Sequence, residues 1–291
     1  MTAAKLAEVS QAEGWRAFGS DPPAYHQARP GYPKRVFDIL RDRCQIGPGS
    51  RVFEVGPGTG IASQGLLQLG ANPLVLVEPD ERLANFLTKT LGGNSLKIKL
   101  IVTSFEHAEL QSEWFDAGTS ASAFHWLDEV GSLHKIAHTL RPGGWWTMWW
   151  NLLFGAPRHD EFYKATRNLL GGLGSSPSSG TVGRPPFALD TEMRMANLRA
   201  VGTFENIDFE TITWTMLLDT TRTMRLYRTF SAISRLDAEG QEKLLDDLGE
   251  IAEKQFGGKV EICVTTPIYT AKRAGEAKPK HTSVSDIVQF P

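Results

Sequence analysis

Between Val52 and Asn151 the apolar residues follow two alternating rhythms. Compact runs such as Leu74-Val75-Leu76-Val77 have the length and branching of buried strands, while the stretches between them place apolar residues at helical spacing. The pattern predicts a first strand running into Gly56, a helix over Ile61–Leu69 and a second strand over Leu74–Glu78. Asp80 is then placed to cap a helix whose Leu83, Leu87 and Leu91 share one face. A third strand is expected over Lys97–Val102 and a fourth over Phe115–Ala123, followed by a helix with Val130, Leu133, Ala137 and Leu140 on its inner face. Arg141-Pro142-Gly143-Gly144 breaks the chain before a fifth strand, Trp145–Asn151. There Trp145, Trp146, Trp149 and Trp150 alternate, which sends neighbouring rings to opposite faces of a sheet. Strands separated by helices at this spacing imply an α/β fold with a mainly parallel sheet and right-handed crossovers.

From Leu152 to about Gly202 this rhythm is lost. Asp160–Leu170 reads as a helix, but the Gly-, Ser- and Pro-rich stretch Gly171–Gly180 cannot continue a regular element. An insertion of this length in an enzyme is expected to be a lid or substrate wall, the other reading being a disordered surface excursion. Phe204–Thr215 then alternates like a strand, two helical stretches follow over Thr221–Ile233 and Ala238–Phe256, and Lys259–Ala271 is a last, β-branched strand. In the second helix Leu244, Leu248, Ile251 and Gln255 fall on adjoining turns. The expected division is an N-terminal lid and first helix (1–49), a core (50–151), a cap insertion (152–203), the C-terminal part of the sheet with two helices (204–274) and a loose tail (275–291).

Composition narrows the function more than the fold. The chain of 291 residues is 41% hydrophobic with a formal charge of −2, enough for one large domain and without the basic field that a phosphate backbone requires. Nucleic acid is therefore not expected as a substrate, and a small molecule is. Apolar runs are strand-length, far short of a bilayer span, and Met1–Gln11 lacks the apolar core of a secretory signal. Cys44 and Cys263, the two cysteines, stand far apart, so neither a disulfide framework nor a zinc site is expected and a reducing cytoplasm is the default. His134 and His138 have the spacing of a metal pair, but no Glu follows His134 and no third ligand is evident. No metal is expected, and nothing in the pattern specifies an oligomer.

The chemistry-bearing signal is Glu54-Val55-Gly56-Pro57-Gly58-Thr59-Gly60, with Glu78 at the end of the next apolar run. A glycine turn leaving one strand, with an acid at the tip of the next, suits an adenosyl cofactor in a doubly wound sheet. Dinucleotide folds use G-x-G-x-x-G, and the position of their third glycine is Ile61 here. The arrangement E-x-G-x-G-x-G resembles instead motif I of class I S-adenosylmethionine-dependent methyltransferases. That resemblance implies a cofactor site at Glu54, Gly56, Gly58, Thr59, Gly60, Glu78 and Pro79, with Glu54 toward the ammonium end. Glu78 would then take the ribose diol, since an ionised carboxylate offers two acceptor oxygens. On the loop alone, a structural turn with an exposed Glu78 is the competing reading.

Further segments narrow the resemblance: Tyr25-His26-Gln27-Ala28-Arg29-Pro30-Gly31-Tyr32-Pro33, Thr103-Ser104-Phe105-Glu106, Ser122-Ala123-Phe124-His125-Trp126, and the Arg-Pro-Gly-Gly before the fifth strand. Together they look like small-molecule methyltransferases related to trans-aconitate methyltransferase. The resemblance covers nearly the whole chain. It implies a Rossmann-like seven-stranded sheet with helices on both faces, an antiparallel C-terminal strand pair and a lid insertion. It places Tyr25 and Arg29 over the cofactor, with Arg29 a candidate for its carboxylate, and Ser104, Phe105 and Ser122 around the adenosyl group. Ser104 departs from the acid common at its position. His26, His125, Trp126, Trp150 and Asn151 are the implied substrate residues, and His125 is a candidate base or a packing residue. Phe187 and Arg184 are further candidates in the insertion. The expected activity is methyl transfer from S-adenosylmethionine, which leaves S-adenosylhomocysteine, to a small acceptor, with oxygen favoured over nitrogen or carbon. Two rivals stay open: a non-catalytic S-adenosylmethionine-binding regulator, and a nicotinamide oxidoreductase, against which Ile61 and the lack of a Tyr-x-x-x-Lys pair argue.

Overall fold

The computed structural model describes residues 19–92, 97–153, 160–171, 173, 177–179 and 183–275. The first 18 residues of the expected lid, the tail from 276 onward and half of Gly171–Gly180 lie outside the described residues. Seven strands form one sheet: β1 Val52–Val55, β2 Leu74–Val77, β3 Ile98–Ile101, β4 Phe115–Ala121, β5 Leu140–Trp149, β6 Phe204–Asp219 and β7 Lys259–Arg273. Their order is β3-β2-β1-β4-β5-β7-β6. The first five run parallel, and β7 is antiparallel to both β5 and β6. This is the mainly parallel sheet that the pattern predicts, with the antiparallel C-terminal pair that the resemblance implies.

Period-2 alternation divides the strands between two cores. Phe53, Val75, Val77, Trp146, Met148 and Trp150 pack on one face with helix α5 (Glu129–Thr139) and helix α7 (Thr191–Ala200). Val52, Leu74, Leu76, Trp145 and Trp149 face the other side, under α2 (Lys34–Asp42), α3 (Ile61–Leu69) and α4 (Glu81–Leu91). The four tryptophans thus divide between the faces as their spacing predicts. A third cluster lies beneath the C-terminal helices, where Leu226, Leu245 and Leu248 meet Val260, Ile262 and Val264 of β7. Those helices are α8 (Thr220–Arg228), α9 (Ser231–Ser234) and α10 (Ala238–Phe256), with α6 (Glu161–Leu170) packed beside them and α1 (Pro22–Ala28) near the N-terminus.

A half-buried clamp ties the start of the first strand to the fourth. Arg51 donates its backbone N–H and its guanidinium to Asp116, and Arg141 adds another hydrogen bond. Burial alone would raise the Asp116 pKa, but these two cations hold it at about 2.

Several expectations need correction. Strand β5 begins at Leu140, not Trp145: Phe115 faces Leu140 and Ala117 faces Trp145, so Arg141–Gly144 bulges out of a continuing strand. Leu140 therefore belongs to the sheet, and Val130 is 51% exposed; Ile136 fills the inner face of α5 with Leu133 and Ala137. Thr221–Ile233 is two helices, α8 and α9. In α10 the buried positions are Leu244, Leu245, Leu248 and Ala252, while Gln255 is exposed. Helix α7 carried no apolar signal because its buried residues are Arg194 and Leu198, and an arginine at a core position looks polar in the sequence. Among the described residues no helix is long and apolar enough to cross a membrane.

Candidate active site

The strand order reverses beside β1, which pairs with β2 on one side and β4 on the other. Ligands of open α/β sheets bind at the carboxyl ends of strands at such a switch point. The loop leaving β1 turns through Gly56, Gly58 and Gly60 at φ +66°, +57° and +87°, backbone that side chains with a Cβ rarely adopt. Two of the three are also sterically fixed: a Cβ at Gly56 would stand 2.5 Å from Ala123 Cβ, and one at Gly60 would stand 2.6 Å from Leu87 Cδ1. Around Gly58 the space is open.

Beside the loop lies a cavity of about 210 Å³. Of the predicted cofactor residues, Tyr25, Gly56, Gly58, Thr59, Glu78, Pro79, Ser104, Phe105 and Ser122 line it. Glu78 is buried rather than exposed, accepting the N–H of Gly58 and of Asp80 at 3.0 Å each, and burial pushes its pKa up to about 7. Each carboxylate oxygen so engaged keeps a second lone pair for a diol. Asp80 caps α4 as predicted, through the Arg82 N–H.

Glu54, Gly60 and Arg29 are placed differently from expectation. Glu54 is fully buried beneath the loop rather than in the cavity wall. Its Oε2 accepts from Ser63 Oγ at 2.6 Å, while Oε1 has no hydrogen-bond partner. Burial raises its pKa to about 7, against the opposing bond from Ser63. Gly60 serves packing against α4. Arg29 lines a neighbouring cavity, where it donates to the Thr229 carbonyl at 3.0 Å and lies between the rings of Tyr25 and Phe230. Ser104 Oγ is within hydrogen-bond distance of His107 Nδ1, and Ser104, Phe105 and Glu106 border the cavity. Lys135, which the sequence did not single out, binds the carbonyls of Phe105, Glu106 and Ala108 and so fixes the turn.

The second cavity, about 470 Å³, shares Tyr25, Tyr32, Ile61, Ser122 and Trp126 with the first. Ser122 takes a left-handed φ of +55°, unusual for serine, and its Oγ accepts from the Tyr32 hydroxyl at 3.1 Å. A strained residue at the junction of two cavities is the kind of position where function holds backbone strain in place. Burial pushes the Tyr32 phenol well above its ordinary range, so it stays a neutral donor. His125, Trp126, Trp150 and Asn151 line this larger cavity as predicted. His26 lines neither: it packs on Phe86, and burial lowers its pKa. Arg184 is held by Asp190, and Phe187 packs between His125 and Trp150. Arg167 of α6, which the pattern gave no reason to choose, reaches the cavity from the insertion, as does Tyr163.

His125, a candidate base or packing residue in the sequence, is buried against Trp150. Its ring is 8% exposed, burial lowers its pKa to about 3, and its Nδ1 accepts the Trp150 indole N–H at 3.1 Å. A group that binds protons so weakly abstracts them poorly at neutral pH. His134 and His138 are exposed on α5, and among the described residues no group of three or more His, Cys, Asp or Glu could hold a metal ion.

A family model described as a methyltransferase domain matches residues 53–148, the stretch that contains the glycine loop, Glu78 and the first five strands. The chain carries a class I S-adenosylmethionine-dependent methyltransferase domain. An uncharacterized methyltransferase of Schizosaccharomyces pombe is 22% identical over 263 residues, covering 89% of this methyltransferase and 97% of the relative. One of Mycobacterium tuberculosis is 32% identical over 135 residues, but that match spans only about half of each chain, 46% of this one and 52% of the other. Among solved structures, phosphoethanolamine N-methyltransferase 2 of Haemonchus contortus, in complex with phosphomonomethylethanolamine and S-adenosylhomocysteine, superposes with a TM-score of 0.58 at 14% identity. That superposition covers 91% of this methyltransferase and 60% of the longer chain.

Proposed function

We propose that the methyltransferase holds S-adenosylmethionine in the smaller cavity and methylates an oxygen of a small anionic acceptor in the larger one. The observation that carries the acceptor class is the wall of the larger cavity: Arg29 and Arg167 line it, and no Asp or Glu does among the described residues. Guanidinium groups favour carboxylates and phosphates, which they bind bidentately. The resemblance around Tyr25, Ser104 and His125 points the same way.

The residues present suit the cofactor. The unpartnered, buried Glu54 Oε1 is the counterpart an ammonium group needs, and the open face of Gly58 admits close backbone approach. Glu78 offers its remaining lone pairs to the ribose diol, and Phe105 with the backbone of its turn borders the adenine. When bound, S-adenosylmethionine supplies a methyl group already activated on a sulfonium. The chain's contribution is then alignment and exclusion of water across the Tyr32–Ser122 junction. An ionised carboxylate needs no base, which agrees with a His125 that does not serve as one.

Two measurements test this. Calorimetry should show binding of S-adenosylmethionine and S-adenosylhomocysteine; binding of NAD with no response to either would overturn the cofactor site. A turnover screen over carboxylic acids, phenols and amines should find methyl esters. Turnover confined to amines would overturn the oxygen acceptor, and tight cofactor binding with no turnover on any class would make the chain a binding protein.

A further inference from the structure

In the larger cavity, the position of the His125 proton is dictated by a hydrogen bond. An indole nitrogen can only donate a hydrogen bond, so the His125 Nδ1 that accepts from Trp150 must carry a lone pair. In a neutral imidazole the proton is then on Nε2, the atom on the other edge of the ring. Trp126 and Phe187 stand beside the imidazole at 4.9 and 6.2 Å between ring centroids, so Nε2–H is the polar group left to face a ligand. Trp150 is itself held in place, packed edge-on against Phe187 and Tyr269 and continuous with β5. We propose that His125 is a fixed hydrogen-bond donor, locked in the Nε2–H tautomer by Trp150, that selects acceptors presenting an oxygen lone pair to the cavity.

The proposal rests on the reading of the larger cavity as the acceptor site and deepens it. An amine or alcohol nucleophile losing a proton needs a proton acceptor near the reacting atom, and a nitrogen that already holds its proton cannot be one. A carboxylate has lone pairs to spare: one oxygen attacks while the other receives the His125 N–H and the guanidinium groups. Trp150 acts through His125 and is a positioning residue.

The test uses the full chain labelled with ¹⁵N in histidine and arginine side chains and saturated with S-adenosylhomocysteine. Long-range ¹H–¹⁵N correlation at pH 7 should show His125 with an unprotonated Nδ1 and a protonated Nε2, and Trp150→Phe should abolish that single-tautomer signature. A His125 in the Nδ1–H tautomer, or doubly protonated, would overturn the proposal. Benzoate, a carboxylate of a size the cavity admits, should perturb both the Arg167 and the His125 Nε2 signals, and benzylamine neither. If benzoate moves Arg167 but not Nε2, the donor role falls and the acceptor site stands; if it moves neither, the acceptor site falls and takes the donor role with it. His125→Gln, whose amide N–H can replace Nε2–H, should keep benzoate affinity within about threefold, while His125→Phe should lose about tenfold, the range of one hydrogen bond to a charged group. Equal losses in both variants would assign His125 to packing.

Discussion

The two cavities are built in opposite ways. The smaller is made chiefly from loops at the ends of β1, β2 and the strands beside them, and its wall residues Gly56, Gly58 and Glu78, with Glu54 buried beneath them, lie within 25 residues. Its short strands are buried on both faces, and the two buried acids take local partners, Ser63 on one oxygen of Glu54 and the Gly58 and Asp80 amides on Glu78. The larger cavity draws its wall from the N-terminal segment, the end of β5, helix α6 and the α8–α9 corner, regions up to two hundred residues apart. The first is a property of one supersecondary unit, the second of how distant units are held together. Cofactor binding should therefore survive changes that loosen the insertion, and the acceptor cavity should not.

The largest effect is expected where the insertion is fastened to the core. Arg194 of α7 is paired with Glu129 of α5 at 2.7 Å, both nearly buried, and the guanidinium lies 3.7 Å from the centroid of Phe187, which packs on His125. Removing one partner of such a pair costs roughly 3–5 kcal/mol. Arg194→Met should lower the melting temperature by on the order of 10 °C, yet leave S-adenosylhomocysteine affinity within about threefold once folded. A parallel collapse of cofactor affinity in calorimetry would show that the two cavities are not independent.

Gly56→Ala attacks the other side. The left-handed φ and the contact with Ala123 together should cost about 2–3 kcal/mol, expressed as a loss of cofactor affinity on the order of 50-fold. Retained affinity would mean that the loop rearranges freely.

A smaller effect sharpens the electrostatics of the cofactor side. Glu54 and Glu78 are pushed up to about 7 by burial, so below that pH the free protein holds protons that ionised, cofactor-pairing carboxylates must release. Affinity for S-adenosylhomocysteine should rise by about tenfold from pH 6 to 8, with proton release visible as a dependence of calorimetric heat on the buffer's ionisation enthalpy. Stability runs the other way: with native pKa values above the unfolded ones, the ligand-free protein should lose stability as pH rises from the ordinary carboxylate range toward 7, and not beyond. Glu78→Gln should shrink both slopes.

The smallest effect separates the cavities from the acceptor side. Arg167→Met removes an exposed guanidinium from the rim, and should raise KM for a carboxylate acceptor about fivefold without changing S-adenosylhomocysteine binding. A change in kcat with KM constant would place Arg167 in alignment instead of capture.

Which parts were legible follows the same division. The strands and the glycine loop could be read because period-2 burial and left-handed glycines leave local marks. Glu78 could be placed because a single strand ends there. Arg167 and Tyr32 could not be chosen by any local rule, since each becomes a cavity residue only through packing against chain that is remote in sequence. Helix α7 was hidden because Arg194 looks like a surface residue until Glu129 is brought opposite it. His125 was located by its position after β4, but whether it is a base or a packing residue stayed open in the sequence, because its partner Trp150 stands at the end of the next strand of the sheet.

The sequence by itself therefore determined the sheet, its order of elements and the chemistry of the loop at Gly56–Gly60, because these depend on spacing and backbone sterics within a few tens of residues. Tertiary structure alone decided the acceptor wall, the burial that raises the two loop-side carboxyls, and the tautomer of His125. Each of those depends on which distant group excludes water or supplies a hydrogen bond, and one-dimensional spacing carries no record of that.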